Sequence, residues 1–272
     1  MQLTVNGSAA YAYLGGKPAL NAALPAVVFI HGAEHDHSVW ILQSRYLAHH
    51  GYRVLAVDLP GHARSAGPAL ESVGAMADWI IAVLDAAGIN QATLVGHSMG
   101  SLIALDAAGR YPNRISGLVL VGAANPMKVG EPLLNATRDD ETAAQDMVNI
   151  WSHASAHAHK PSNPGPGFWV IGQNLRLMQR INQGVMHTDF FACNAYADGA
   201  TRAAQVTCPT LAILGKRDAM TPAKSGRALA QSIAGAQVVE IASSGHNLMG
   251  EAPDAVLDAL VGFLATAPIK PV

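Results

Sequence analysis

Apolar residues run in short blocks along the chain: Leu3–Val5, Ala26–Ile30, Val54–Val57, Thr93–Val95, Leu118–Val121, Leu211–Leu214 and Val238–Ile241. Blocks of this length bounded by turn residues read as strands, and the continuous ones read as strands covered on both faces. Stretches of helical periodicity lie between them. Ser38 to His50 stops at Gly51, Val73 to Ala87 stops at Gly88, and Leu102 to Arg110 stops just before Pro112. Gly51 and Gly88 stand where helices commonly end in a left-handed residue. Alternating strands and helices predict an α/β protein with a mostly parallel central sheet and helices on both faces. Ligands bind such sheets at the carboxyl ends of the strands.

One interval breaks the alternation. Between Val121 and Thr210 there is no strand pattern, only helix-like pieces and a Pro/Gly stretch from Pro161 to Gly167. An unstructured connection of that length would be out of place in a compact domain, so the interval reads as helical. It carries Met127, Trp151, Phe168, Trp169, Met178, Met186, Phe190 and Phe191. Apolar side chains on helices mostly serve packing. The candidates for substrate contact are Met127, Trp151, Trp169, Phe190 and Phe191, which together suggest an apolar acyl or ring-binding site.

Candidate chemistry falls at predicted strand ends. Gly96-His97-Ser98-Met99-Gly100 sits between the apolar run Ala92 to Val95 and the helical run Ser101 to Arg110. In that setting Gly-x-Ser-x-Gly leaves a serine at the apex of a tight strand-to-helix turn, with glycines where backbone must approach closely. A serine hydroxyl needs a base to become a nucleophile at neutral pH. Among twelve histidines, His246 in Ser243-Ser244-Gly245-His246-Asn247 follows a strand and precedes the helical stretch Ala252 to Leu264. Asp218, just after the run Thr210 to Leu214, supplies a carboxylate to orient the imidazole. The chain order Ser98, Asp218, His246 differs from that of chymotrypsin and of subtilisin.

These motifs carry a resemblance. The chain resembles an α/β-hydrolase of the cap-bearing, single-domain esterase and lactonase type over nearly its whole length. The residues concerned are His31-Gly32, Asp58-Leu59-Pro60-Gly61-His62-Ala63-Arg64-Ser65, the Ser98 turn, Gly215-x-x-Asp218-x-x-x-Pro222, and Gly245-His246 with Glu251-x-Pro253. It departs from the family pattern at Ala63 and Ser101, where glycine is frequent. The resemblance implies an α/β-hydrolase core over residues 1–123 and 206–272, with a helical cap inserted over 124–205. It also implies that the backbone N–H of Ala33 joins that of Met99 in an oxyanion hole. The family's alternative acid position, Gly122-Ala123-Ala124-Asn125, holds no carboxylate. Asp218 therefore keeps the role.

The expected reaction is hydrolysis of carboxylic esters or related acyl substrates, lactones included, through an acyl-enzyme on Ser98 and without a cofactor. Acyltransferases and perhydrolases of this fold use the same triad. Carbon–carbon bond hydrolases also remain open, although His31-Gly32-Ala33-Glu34 lacks their additional glycines. A slow-turnover ligand receptor is the alternative from outside enzymology. Serine at the turn argues against dehalogenase and epoxide hydrolase chemistry, which uses aspartate there.

Other polar groups receive quieter expectations. His97 shapes the pocket beside Ser98 and is a candidate substrate contact. His31 and His62 hold loops by hydrogen bonding, and Asp58 and Arg64 stabilise their turn. Asp106, on the helix after Ser98, points away from the strand ends. Glu34-His35-Asp36-His37 reads as a solvated loop rather than a metal site, with one side chain possible at the entrance. His153, His157 and His159 read as exposed positions.

Bulk properties narrow the partners. At 272 residues, 50% apolar and 13% charged, the chain can bury a full core. A net charge of −2 gives no reason to expect nucleic acid or an anionic membrane. The expected partner is a small acyl substrate, with the protein a monomer or homodimer. Cys193 and Cys208 belong to no metal or redox motif and read as reduced thiols. The first residues show no signal-peptide pattern, and no run is long enough to span a bilayer. The expected compartment is the cytoplasm.

Overall fold

A computed structural model describes residues 1–154 and 169–266. Eight strands form one sheet: β1 (Gln2–Val5), β2 (Ser8–Tyr13), β3 (Ala26–Ile30), β4 (Arg53–Val57), β5 (Ala92–His97), β6 (Ile115–Val121), β7 (Thr210–Gly215) and β8 (Gln237–Ile241). Their spatial order is β1-β2-β4-β3-β5-β6-β7-β8. Pairing is parallel from β4 through β8 and antiparallel only for β1–β2 and β2–β4. The expected mostly parallel sheet is present. The strand β2 was not expected, and it returns from the turn at Asn6-Gly7 to pair with β1 in a hairpin.

Alternate residues of each central strand point to opposite faces, so a fully apolar strand feeds two cores at once. Val28, Ile30, Leu94, Leu118 and Leu120 pack beneath the helices Val73–Ala86 and Met99–Arg110. Val27, Phe29, Val95, Val119 and Val121 pack on the other face against Trp40, Leu47 and the helix Pro253–Thr266. Each fully buried large side chain contributes about 2 kcal/mol of transfer free energy. The sheet is therefore a rigid platform for whatever sits at its ends.

Chain direction reverses between β3 and β5. From β3 the chain moves outward to β4, then returns to place β5 on β3's other side. The strand order therefore reverses at β3 and β5, and sheets of this kind bind ligands outside the carboxyl ends of the strands at that point. Between β6 and β7 the described residues hold five helices and no strand: Glu131–Asp139, Glu141–Trp151, Val170–Met178, Val185–Ala195 and Gly199–Gln205. The helix after Ser98 begins at Met99, earlier than its apolar periodicity suggests. Among the described residues no helix is long and apolar enough to cross a membrane. Cys193 is buried, Cys208 is half-buried, and both are free.

Candidate active site

Ser98 is the residue between β5 and the helix Met99–Arg110, at φ 52° and ψ −118°. A non-glycine residue in this sparsely populated region costs roughly 1–3 kcal/mol and persists only where its surroundings over-determine it. Here they do. The Ser98 N–H donates to Val121 O at 2.9 Å, and the Ser98 carbonyl accepts from Ser101 N and Ser101 Oγ. Glycine is required on both sides of the turn. A Cβ at Gly96 would lie 2.0 Å from Gly100 O, and one at Gly100 would lie 2.4 Å from Ile30 O. The loop after β3 closes against the same turn, since a Cβ at Gly32 would meet Ser98 Cβ at 3.2 Å.

Asp218 and His246 stand after β7 and β8 and meet directly. His246 Nδ1–H donates to Asp218 Oδ2 at 2.8 Å. The other carboxylate oxygen accepts from Met220 N at 2.8 Å and Thr221 N at 2.7 Å. The Thr221 hydroxyl lies 2.8 Å from Oδ2 and donates to Gly122 O at 2.9 Å. Burial works to raise the Asp218 carboxyl, but the His246 charge and the donors around it outweigh burial and hold it below its ordinary value. An ionised Asp218 fixes the proton of His246 on Nδ1 and leaves Nε2 as a bare acceptor. The loop carrying His246 is clamped by Glu251, whose carboxylate accepts from Gly245 N and Ala154 N at 2.7 Å each.

His97 proves to be a support for that loop. Its Nε2–H donates to the His246 carbonyl at 2.8 Å, and the two rings stand 4.7 Å apart. Burial, with the neighbouring His246 charge, lowers its pKa well below the usual imidazole value and keeps it neutral. Asp106 lies away from the strand ends, bound to Arg110, Arg202 and Tyr196 at 3.0–3.1 Å. Asp58 accepts from His37 and from Arg64 N, which ties its turn together as expected.

Ser98 opens onto two cavities. One is a narrow cleft where Ser98, His97 and His246 meet His35, Ser152 and Asn174, with Val39, Val148 and Met249 closing it. The other is larger and apolar, lined by Met127, Val129, Leu133, Trp151, Phe190 and Met220. Ala33 borders both. Met99 is fully buried at the first turn of its helix, where free N–H groups and the helix dipole favour negative charge. Trp169 and Phe191 are placed elsewhere than expected. They are 63% and 51% exposed, because the helical phase that turns Phe190 inward carries Phe191 outward, and Trp169 lies at the outer start of its helix.

The segment Glu34–His37 is likewise not a solvated loop. Glu34, His35 and Asp36 are buried under the helical segment, where Gln145, Asn174 and Asp189 reach them. Ligand atoms of Asp36, His37 and Asp58 lie within 4.8 Å of one another, a spacing a metal would accept. The carboxylates are already engaged, by the Arg180 guanidinium and Ser38 N at Asp36 and by His37 at Asp58. His153 is buried too, donating to Asn149 O at 2.7 Å and accepting from Asn247. His157, His159 and Phe168 lie outside the described residues. Asp189, which no sequence motif marks, is the missed polar group of this region. Its one signal is a carboxylate within the apolar run of Val185–Ala195.

Glu34 has a measurable consequence. Burial, reinforced by the charges of Glu141 and Asp189 and opposed by the Gln145 hydrogen bond, pushes its carboxyl up to about 8. The unfolded chain ionises it near the ordinary value of about 4.3. Across that window the folded state holds a proton the unfolded state has lost, so stability falls as pH rises through it. Glu34→Gln removes this titration. In denaturant melts the variant is expected to gain on the order of 3 kcal/mol over the parent at alkaline pH and nearly nothing at acid pH. Parallel pH profiles for the two proteins would contradict the assignment.

A sequence profile of the alpha/beta hydrolase fold matches residues 25–253, and the chain belongs to that family. RutD of Klebsiella pneumoniae (strain 342), provisionally named a carbamate hydrolase, is 30% identical over 246 residues, spanning 84% of this chain and 87% of that protein. A Klebsiella pneumoniae hydrolase named for 2-hydroxy-6-oxononadienedioate and 2-hydroxy-6-oxononatrienedioate is 28% identical over 262 residues, or 89% and 87% of the two chains. Among solved structures, the enol-lactonase of Burkholderia xenovorans LB400 superposes with a TM-score of 0.84 and 26% identity, covering 97% of this chain and all of that one. Hydrolase chemistry is common to these relatives and is the coarse function of this chain.

Proposed function

We propose that this hydrolase cleaves carboxylic esters or related acyl substrates, lactones included, through a covalent acyl-enzyme on Ser98. The observation that carries the reading is the Asp218–His246 hydrogen bond at 2.8 Å, on an imidazole that shares a cavity with a serine held at φ 52°. Nε2 of His246 takes the Ser98 proton as Oγ attacks the substrate carbonyl carbon. The carbonyl oxygen becomes an anion stabilised by the N–H groups of Ala33 and Met99, each worth about 3 kcal/mol in sites of this kind. His246 returns its proton to the departing alcohol oxygen and the C–O bond breaks. A water then attacks the acyl carbon, gives its proton to His246, and Ser98 leaves with that proton.

The five helices between β6 and β7 act in this reading as a cap over the strand ends, within residues 124–205. Met127, Trp151 and Phe190 of that segment wall the apolar cavity, so one arm of the substrate is apolar. The narrower cleft on the other side of Ser98, with His35, Ser152 and Asn174 among its walls, takes the second arm. Relatives named for carbamate and for enol-lactone chemistry also act on an acyl carbonyl bonded to a heteroatom, which supports acyl transfer over other reactions.

The test pairs labelling with turnover. A fluorophosphonate is expected to modify Ser98, located by peptide mass mapping, and short p-nitrophenyl esters or lactones are expected to turn over steadily. Labelling without turnover of any ester, lactone, carbamate or thioester would favour a ligand-binding protein instead. Turnover only of a vinylogous diketone would favour carbon–carbon cleavage.

A further inference from the structure

We infer that Asp189 is a positioning residue for the loop that presents the Ala33 N–H to the substrate, acting through the next peptide, Ala33–Glu34, a role that rests on the acyl-transfer reading above. The Gly32–Ala33 peptide is trans, so its C=O and N–H point in opposite directions and fixing one fixes the other. His31 fixes the C=O. Its Nε2 lies 3.1 Å from Leu59 N–H, which can only donate, so the ring proton is on Nδ1. That Nδ1–H donates to Gly32 O at 2.8 Å. Burial lowers His31 well below the usual imidazole range, so this neutral tautomer persists.

Asp189 fixes the following peptide. Its Oδ2 accepts from Glu34 N at 2.9 Å, across 155 residues of sequence. The same oxygen faces His62 Nε2 at 2.9 Å, and His62 Nδ1 faces Pro60 O at 3.0 Å. Both His62 nitrogens thus meet acceptors, an arrangement that suits the imidazolium. Burial opposes the charge, but Asp189 outweighs it and raises His62 above its ordinary value. The rings of His31 and His62 stand 4.8 Å apart, so the two anchors brace each other.

Two further observations separate this role from plain stabilisation. Glu34 sits at φ 56°, a left-handed conformation that a residue with a Cβ leaves unless something holds it. Asp189 Oδ2 holds the N–H of the Ala33–Glu34 peptide, while His35 Nδ1 holds its carbonyl, Ala33 O, at 2.7 Å. Asp189 is fully buried, and its other oxygen has no partner among the described residues. A buried ion pair adds little stability over apolar residues of similar size, so what this pair supplies is geometry. Asp189 also precedes Phe190, which lines both cavities. The helix that shapes the substrate walls therefore also sets the oxyanion donor.

The test compares Asp189→Ala and Asp189→Asn with the parent on p-nitrophenyl butyrate, with two inhibitors. One is a trifluoromethyl ketone, whose serine adduct bears an oxyanion; the other is the matched secondary alcohol, which forms none. Asp189→Ala is expected to lower kcat by about 10- to 100-fold with KM nearly unchanged, and to weaken the ketone by the same factor while sparing the alcohol. Asp189→Asn retains an acceptor for Glu34 N and is expected to recover most of the loss. A purely structural role would reduce the active fraction and leave both inhibition constants at parental values; that outcome, or no change at all, overturns the inference. Should Asp189→Ala fail to fold, Asp189→Leu, which fills the space without offering Glu34 N an acceptor, takes its place in the same assays, and parental rate and inhibition constants in that variant overturn the inference. A parent that neither labels at Ser98 nor hydrolyses esters would remove the acyl-transfer reading itself, whereas an active parent with an insensitive ketone would remove only this role.

Discussion

Ser98→Ala is expected to fall below detection in ester turnover, by about a millionfold in kcat, with the fold unchanged. The size follows from what the hydroxyl does. Without Oγ there is no acyl-enzyme, and His246 and Asp218 have nothing to activate. The fold survives because the bonds that build the turn belong to the backbone of Ser98, through Val121 O and Ser101 N, not to its side chain. Ala tolerates φ 52° no better and no worse than Ser, so the melting temperature should match the parent closely. Ser98→Gly makes a sharper companion. It removes the Cβ penalty of the strained turn and is expected to be equally inactive yet as stable or more stable, by up to about 1 kcal/mol. Retained turnover in either variant would take the nucleophile role away from Ser98.

That serine was legible in the sequence because two independent signals coincide on it, a strand-to-helix change in periodicity and glycines where a Cβ would collide with Gly100 O or Ile30 O. Asp218 and His246 were legible for a similar reason, each being a polar residue just past an apolar strand. What was not legible was depth. Glu34, His35 and Asp36 are polar and adjacent, which in a sequence reads as solvated, yet the helical segment folds over them and supplies partners from Gln145, Asn174, Asp189 and Arg180. Those partners are more than a hundred residues away, and nothing local announces them. Helical phase failed at Phe190 and Phe191 because Val185–Ala195 carries apolar residues around much of its circumference, so periodicity selects no single face. β2 escaped notice because Ser8–Tyr13, a strand of serine, alanine and tyrosine at the sheet's antiparallel margin, lacks the branched apolar block of the central strands.

Asp218→Asn is expected to lower kcat by about ten-thousandfold while leaving KM close to the parental value. The structure says which way the new amide must face. Met220 N and Thr221 N both donate to Oδ1 of Asp218, and a backbone N–H accepts nothing, so the amide oxygen is drawn to that side. The NH2 group then occupies the place of Oδ2 and points at His246 Nδ1, 2.8 Å away in the parent. A donor there requires Nδ1 to be the acceptor, which moves the ring proton to Nε2, on the side where Ser98 needs a base. The geometry is kept and the proton is on the wrong atom. Nitrogen NMR of the His246 ring should show the exchange of protonated and bare nitrogens between parent and variant at neutral pH. A rate within about tenfold of the parent, or an unchanged tautomer, would mean that another carboxylate orients His246. The hydroxyl of Thr221, 3.1 Å from the same nitrogen, offers no substitute: it carries no charge to stabilise the imidazolium that forms as Ser98 attacks.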